Sequence, residues 1–242
     1  MSHFPDTISV IIPALNEAQY IATTLASLRP GPGIDIIVVD GGSRDDTAAL
    51  ARAHGATVLT SPPGRARQQN LGAAAASGNL LFFLHADTLA PPDYASLIRQ
   101  TLSTPGVAAG AFSLQIAAPQ PSLKLISTLA NCRSRWLQLP YGDQGLFLHA
   151  TLFHTLGGFP DLPIMEDVIL VRRLRRCGRI VTLPQSVRTS ARRWQQLGPL
   201  RTTAINQLML LGYSWGIAPN TLARLYRQQA GSLGSSSWWK QI

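Results

Sequence analysis

Three aspartates are candidates for chemistry, Asp40, Asp87 and Asp167, and of these Asp87 is the one poorly placed for stability alone. Residues 80–84 are wholly apolar and lead into His85-Ala86-Asp87. A carboxylate at the end of a buried strand can hold a divalent cation that bridges two phosphates. Mg²⁺ keeps several waters and takes only one or two protein carboxylates in such sites. His85 would be a softer nitrogen donor, suiting Mn²⁺ better than Mg²⁺, although a structural hydrogen-bonding role is its plainer reading. Asp40 ends a second apolar run and precedes Gly41-Gly42-Ser43. Its carboxylate can accept from a ribose or a base N–H, and the glycines let a ligand approach the backbone; a simple glycine turn uses the same residues. Met165-Glu166-Asp167 opens a helical pattern. Acids in a first turn complement the helix dipole by about 0.3–1 kcal/mol, and one of them could instead be a general base for an acceptor hydroxyl.

Three further segments carry weaker signals. Pro13-Ala14-Leu15-Asn16-Glu17 follows the first strand and could present backbone groups to a flat base, or be an ordinary turn in which Asn16 caps a helix. Tyr141-Gly142-Asp143-Gln144-Gly145 has turn composition, and its polar groups could meet an acceptor. Arg192-Arg193-Trp194 joins two cations to an aromatic plane, a combination suited to a diphosphate leaving group and to stacking. The arginines within residues 172–179 read as solvated. Neither G-x-G-x-x-G nor G-x-x-x-x-G-K-[ST] occurs, which leaves hydride transfer and P-loop ATP hydrolysis without support.

These residues need a scaffold that gathers strand ends. Residues 8–12, 34–39, 56–59 and 80–84 read as short buried strands, with helical patterns over 17–28, 46–54, 66–76 and 92–102. Ile21, Leu25 and Leu28 fall on one helical face. Such alternation predicts an α/β fold, parallel strands joined by helical crossovers, with ligands at the carboxyl ends of the strands. The second half is less regular: strands over 107–116 and 144–148, and helices over 123–137, 167–176, 202–213 and 220–229. In the helix after Asp167, Val168, Val171 and Leu174 form a candidate buried stripe. Residues 202–223 carry no charge but are too polar and interrupted for a membrane span.

The chain has 242 residues and a net charge of +9, unevenly spread. From Val168 onward there are twelve Lys and Arg and no Asp or Glu, so the preceding residues carry −3. A phosphate-bearing substrate, an anionic membrane surface or nucleic acid would each answer that asymmetry. Few aromatics interleave the cations, so nucleic acid is not expected as a partner. Cys132 and Cys177 lie far apart without C-x-x-C spacing and read as free thiols in a reducing compartment. The N-terminus lacks a basic segment followed by an apolar core, so the expected location is cytoplasmic, with peripheral attachment to the inner face of the membrane as an extension of the charge argument.

Taken together and in order, these segments resemble the family 2 glycosyltransferases, whose members share the GT-A fold. The resemblance runs from residues 10–17 through 38–47, where Asp40 matches the aspartate that contacts the nucleoside, and through Gln69-Asn70-Leu71-Gly72, with Gln69 in place of an arginine. Phe83-Leu84-His85-Ala86-Asp87 takes the place of the family's D-x-D strand end, with His85 departing from its first aspartate; Met165-Glu166-Asp167 matches the motif containing the base, and Arg192-Arg193-Trp194 a shortened Q-x-x-R-W. Residues 64–70, 83–88, 141–145 and 190–194 are similar to the bacterial selenodomain-associated subgroup.

The resemblance implies a GT-A-like (Rossmann-like), mostly parallel sheet flanked by helices over residues 1–195, with a C-terminal helical extension over 196–242 packed on it or on a membrane surface. It further implies inverting, metal-dependent transfer from a nucleoside-diphosphate sugar, foremost a UDP-sugar, to an acceptor that is left open, a lipid-linked one among the candidates. Asp167 would be the base with Glu166 as substitute, and Asp87 the ligand of Mn²⁺ or Mg²⁺. Pro13, Ala14, Leu15, Asn16, Glu17, Asp40, Gly41, Ser43, Arg65, Gln68, His85 and Ala86 would hold the donor. Asp143, Gln144, Arg193 and Trp194 would face the diphosphate or acceptor. The rival readings are a nucleotidyltransferase, disfavoured by the lack of a glycine- and lysine-rich triphosphate loop near Pro13, and a noncatalytic phosphate- or membrane-binding module.

Overall fold

The computed structural model describes residues 6–29 and 31–231. Strands β1 (Ile8–Ala14), β2 (Ile34–Asp40), β3 (Thr57–Thr60) and β4 (Leu80–Phe83) alternate with helices α1 (Ile21–Leu28), α2 (Thr47–Ala53) and α3 (Arg65–Ala75). All four strands are parallel, in the order β3-β2-β1-β4. The uncharged run of β1 follows from burial on both faces. Ile8, Val10 and Ile12 pack with Ile21, Leu25 and Leu28 of α1, whereas Ile11 meets Ala73 and Phe83 on the other side. β1 also continues through Pro13, which the sequence pattern takes as its stop.

After β4 come β5 (Thr88–Leu89), α4 (Tyr94–Leu102), β6 (Val107–Ala117), α5 (Pro121–Leu137), β7 (Phe147–His149), α6 (Ala150–Thr155), α7 (Glu166–Leu174) and β8 (Arg179–Ser190). β7 lies antiparallel between β4 and β6, β8 runs parallel to β6, and β5 closes the sheet antiparallel to β8. The eight-stranded order is β3-β2-β1-β4-β7-β6-β8-β5, a mostly parallel sheet covered by helices, as the α/β reading expects. β8 is absent from the sequence-based strands. Its twelve residues include Pro184, and the register with β6 slips from Phe112–Leu183 to Ser113–Ser186, so the proline falls in an irregularity where no ladder bond is lost. That strand owes its place to β6, not to a local pattern.

Helices α8 (Arg192–Leu197), α9 (Pro199–Ser214) and α10 (Pro219–Gly231) complete the described chain. Ile205 and Met209 of α9 join Leu222, Ala223 and Tyr226 of α10 and Ile164, just before α7, in a small core of their own. The uncharged stretch 202–223 is therefore folded into packed helices. No helix among the described residues is long and apolar enough to cross a membrane. The stripe read from α7 is buried as expected: Val168, Val171 and Leu174, with Leu170 beside them.

Helix α3 lies close enough to the sheet that Gly72 faces Ile11 directly. A Cβ there would stand 2.5 Å from the Ile11 Cγ2 and 3.1 Å from a Val39 methyl. Gly72→Ala gains about 1 kcal/mol of helix propensity but overpacks a buried contact at about 1–3 kcal/mol. A net loss of stability is expected, read as a lower thermal midpoint; an unchanged or raised midpoint would refute the close-approach argument.

Candidate active site

The parallel strands end on one side of the sheet, and the loops leaving them are knitted together there. Asn16 does not cap α1, whose N-terminus is at Tyr20. Instead its N–H donates to the Ser43 hydroxyl (2.8 Å), and its side-chain oxygen accepts the Arg44 N–H (2.8 Å). Asp40 folds back on its own loop, accepting from the Gly42 and Ser43 N–H groups (3.1 and 3.0 Å) and from the Ser43 hydroxyl. Gln68 spans the two strand ends, donating to the Ala14 and Val39 carbonyls (2.9 and 2.8 Å), so both N–H groups of its amide are engaged by backbone.

Asp87 follows β4 and is fixed by the β5–β8 pairing. Its carbonyl accepts the Ser190 N–H (3.1 Å), and Thr88 bonds Thr189 across the strands (3.1 Å). This pairing delivers Arg192, two residues past β8, between two acids. Its guanidinium grips the Glu17 carboxylate with both terminal nitrogens, reaches Asp87 Oδ2 at 3.2 Å, and lies over the Tyr20 ring. Burial pushes the Asp87 carboxyl up to about 6, partly offset by Arg192.

A second cluster gathers around α7. Met165 takes a left-handed conformation (φ 68°) just before α7, and Glu166 and Asp167, consecutive in the helix, point about 100° apart. Glu166 is buried and accepts from Arg65 Nε at 2.5 Å; burial raises its pKa against the pull of Arg65. Asp167 Oδ2 accepts the Gly142 N–H at 2.8 Å. A Cβ at Gly142 would stand 3.1 Å from that oxygen and 3.5 Å from His85 Nε2. Asn70 braces the approach to this turn through a two-way amide clasp with Phe159, at 2.7 and 2.9 Å.

One cavity of about 610 Å³ joins the two clusters. Pro13, Glu17, Arg65, His85, Ala86, Asp87, Asp143, Asp167, Arg193 and Trp194 all line it. Ala14, Leu15, Asn16, Asp40, Gly41, Ser43 and Gln68 are not on its wall; they form the frame beside it. Gln144 also lies off the wall, fully buried, donating to the Phe112 carbonyl (3.1 Å) and accepting from Arg133 (3.2 Å). Glu166 is likewise behind the wall, whereas Asp167 is on it. Arg193 reaches the wall while bonding Asn206 of α9 (2.6 Å) and the Tyr226 hydroxyl of α10. Two lining residues outside the sequence-derived set, Arg192 and Arg133, carry positive charge into the cavity; Arg192 sits in a motif, and Arg133 left no local signal.

The donor set fits a cation shared with a ligand rather than one caged by protein. His85 Nε2 and Asp143 Oδ1 are buried without hydrogen-bond partners. Burial and the Arg65 charge pull the His85 pKa down to about 3, leaving a neutral imidazole with a lone pair. Among the described residues no group of three or more His, Cys, Asp and Glu could hold a metal alone. Asp87 and His85 would thus supply one or two positions, and ligand oxygens and water the rest.

The chain matches the family model for glycosyl transferase family 2 over residues 9–129. A relative in Mycobacterium tuberculosis described as an uncharacterized glycosyltransferase is 36% identical over 83 residues, 34% of this chain and 37% of that protein, so the match spans well under half of that relative. Among solved structures, glucosyl-3-phosphoglycerate synthase from the same organism, complexed with Mn²⁺, UDP and glucosyl-3-phosphoglycerate, aligns with a TM-score of 0.56 at 25% identity, covering 74% of this chain and 71% of that one. A mannosyltransferase from Pyrobaculum calidifontis in complex with GDP-mannose and Mn²⁺ aligns with a TM-score of 0.63 at 20% identity, covering 97% and 77%. These neighbours are GT-A glycosyltransferases, the fold expected for the sheet. The family match begins in the strand that carries Pro13 and ends within α5, half of the chain, and the chain belongs to glycosyl transferase family 2.

Proposed function

We infer that the protein transfers a sugar from a nucleoside-diphosphate donor, foremost a UDP-sugar, to an acceptor hydroxyl with inversion. The observation that carries this reading is that Asp167 and Asp87 line one cavity together with the guanidinium groups of Arg192 and Arg193. Asp167 takes the hydroxyl proton as the acceptor oxygen bonds the anomeric carbon and the bond from that carbon to the diphosphate oxygen breaks on the opposite face. Arg192 and Arg193 stand where negative charge accumulates on the departing diphosphate. Asp87, assisted by His85, would hold Mn²⁺ or Mg²⁺, which supplies Lewis-acid neutralisation of the same charge. The frame of Asn16, Asp40, Ser43 and Gln68 would shape the nucleoside end of the site.

Residues 1–195 are assigned to the catalytic unit and 196–242 to the helical extension. The segments at 64–70, 83–88, 141–145 and 190–194 support placement in the selenodomain-associated subgroup, and the two free thiols, Cys132 and Cys177, support a reducing, cytoplasmic location. A thermal-shift screen of UDP-, GDP-, dTDP- and ADP-sugars, with and without Mn²⁺, tests the reading. A donor at a hundredfold its Kd contributes about 2.7 kcal/mol, roughly 5–11 °C for a chain of this size. If no donor stabilises the protein, the reading is wrong.

A further inference from the structure

The cavity that holds Asp87 and Asp167 has a second half that sugar transfer from a nucleotide does not use. Its lining from α5 is Ile126, Leu129, Ala130, Arg133 and Leu137, positions that recur every three or four residues along one helical face. Its lining from α9 is Thr203, Asn206, Gln207, Met209 and Leu210. Apart from Arg133, which stacks on Tyr141 at 3.5 Å, neither helix brings a charge to the wall. The acids and the remaining cations of the lining come from strand ends, from the turn at Gly142–Gln144 and from the starts of α3, α7 and α8. Charge is therefore sorted by element within one continuous space.

The α5 face runs from Ile126 to Leu137, about 16 Å at 1.5 Å per residue. Leu129 and Leu137 line the cavity yet are 59% and 54% exposed, so the cavity opens to the surface through leucines. Leu125 and Trp136 on α5 and Leu208 and Leu211 on α9 are exposed as well. Trp194 stands at the junction of the two halves. It packs in one apolar cluster with Leu114 and beside Ile126, and is 8% exposed, while its indole Nε1–H has no hydrogen-bond partner although it lines the cavity.

From this sorting we propose that the acceptor is an amphiphile: a hydroxyl-bearing head at Asp167, touched by the Trp194 N–H, and an apolar chain lying between α5 and α9 and leaving past Leu129 and Leu137. The proposal rests on the transfer reading above and names its acceptor class. A wholly polar acceptor would leave Ile126, Leu129 and Leu137 of α5 and Met209 and Leu210 of α9 in water.

The test is titration calorimetry of the full chain with n-decyl and ethyl β-D-glucoside, which share a head and differ only in chain, each below its micelle concentration. The decyl compound is expected to bind at least tenfold more tightly. Leu129→Glu and Leu137→Glu, both at exposed positions that leave the core intact, should each weaken decyl binding about fivefold or more. Equal affinities for the two glucosides, or decyl binding indifferent to both substitutions, would overturn the proposal. So would substitution-sensitive binding to phosphatidylglycerol vesicles, or substitution-sensitive dimerisation, with the two glucosides bound equally: the walls would then belong to a bilayer or to a second copy. The donor screen is independent of this titration, so a failure there removes the transfer reading without deciding what the apolar half binds.

Discussion

Asp167→Asn is expected to abolish measurable sugar transfer while leaving donor binding nearly intact. The substitution keeps the shape of the side chain and one oxygen able to accept the Gly142 N–H, gives up the bond from the Val168 N–H at the other oxygen, and leaves the neighbouring Arg65–Glu166 pair intact. What it removes is the basic oxygen. General-base catalysis contributes roughly 10²–10⁴ in rate, and a fall of that size in kcat is the expected result. The discriminating measurement pairs single-turnover transfer with the donor-induced thermal shift. Loss of both together would assign Asp167 to donor binding, and loss of neither would move the base elsewhere. Glu166 is poorly placed to take over, because Arg65 holds it behind the cavity wall.

Asp87→Ala is expected to remove the cation dependence of donor binding and to lower kcat/KM by about two decades or more. Neutralising charge on a departing phosphoryl oxygen is worth several kcal/mol, and each 1.4 kcal/mol is tenfold in rate. The variant has a second consequence within the fold. Arg192 loses one of its two carboxylates but keeps its paired grip on Glu17, so the β8 end should stay in place. A Mn²⁺ titration of the donor-induced thermal shift distinguishes the two effects. If the Mn²⁺-dependent increment survives in Asp87→Ala, the cation is not held at Asp87; if the protein also unfolds at markedly lower temperature, Asp87 is chiefly an anchor for Arg192. His85→Ala provides the companion measurement, since an imidazole ligand would favour Mn²⁺ over Mg²⁺ and its loss should narrow that preference.

Much of this site was legible before any tertiary contact was known, and the reason is local. The runs at residues 8–12, 34–39 and 80–84 are short, apolar and followed at once by polar residues, so the strand ends and the acids on them could be read directly. The first βαβα stretch is regular enough that its topology follows from the alternation. The two-residue β5 and the twelve-residue β8 could not be read the same way, and β7, read over residues 144–148, is a strand at Phe147–His149. β5 has too few residues for a period, and β8 contains a proline and several polar residues that only its pairing with β6 makes tolerable.

Sequence by itself therefore determined the class of fold, through periodicity, and the family, through the order of its motifs; it nominated three carboxylates, of which Asp87 and Asp167 line the cavity and Asp40 does not. Tertiary structure alone decided which of two neighbouring acids faces the cavity. Consecutive residues of α7 project about 100° apart, and the packing of that helix puts Asp167 on the wall and Glu166 on Arg65, 101 positions away. It also decided that Asp40 and Gln68 spend their hydrogen bonds on the loops around them, and that Arg192 ties Glu17 to Asp87 across 175 positions. Most of all, it set α5 opposite α9. The lining face of α5 is largely apolar and by its period could have been ordinary core, α9 adds Met209 and Leu210 among three polar residues, and only their placement makes both into walls of the cavity that Asp167 also lines.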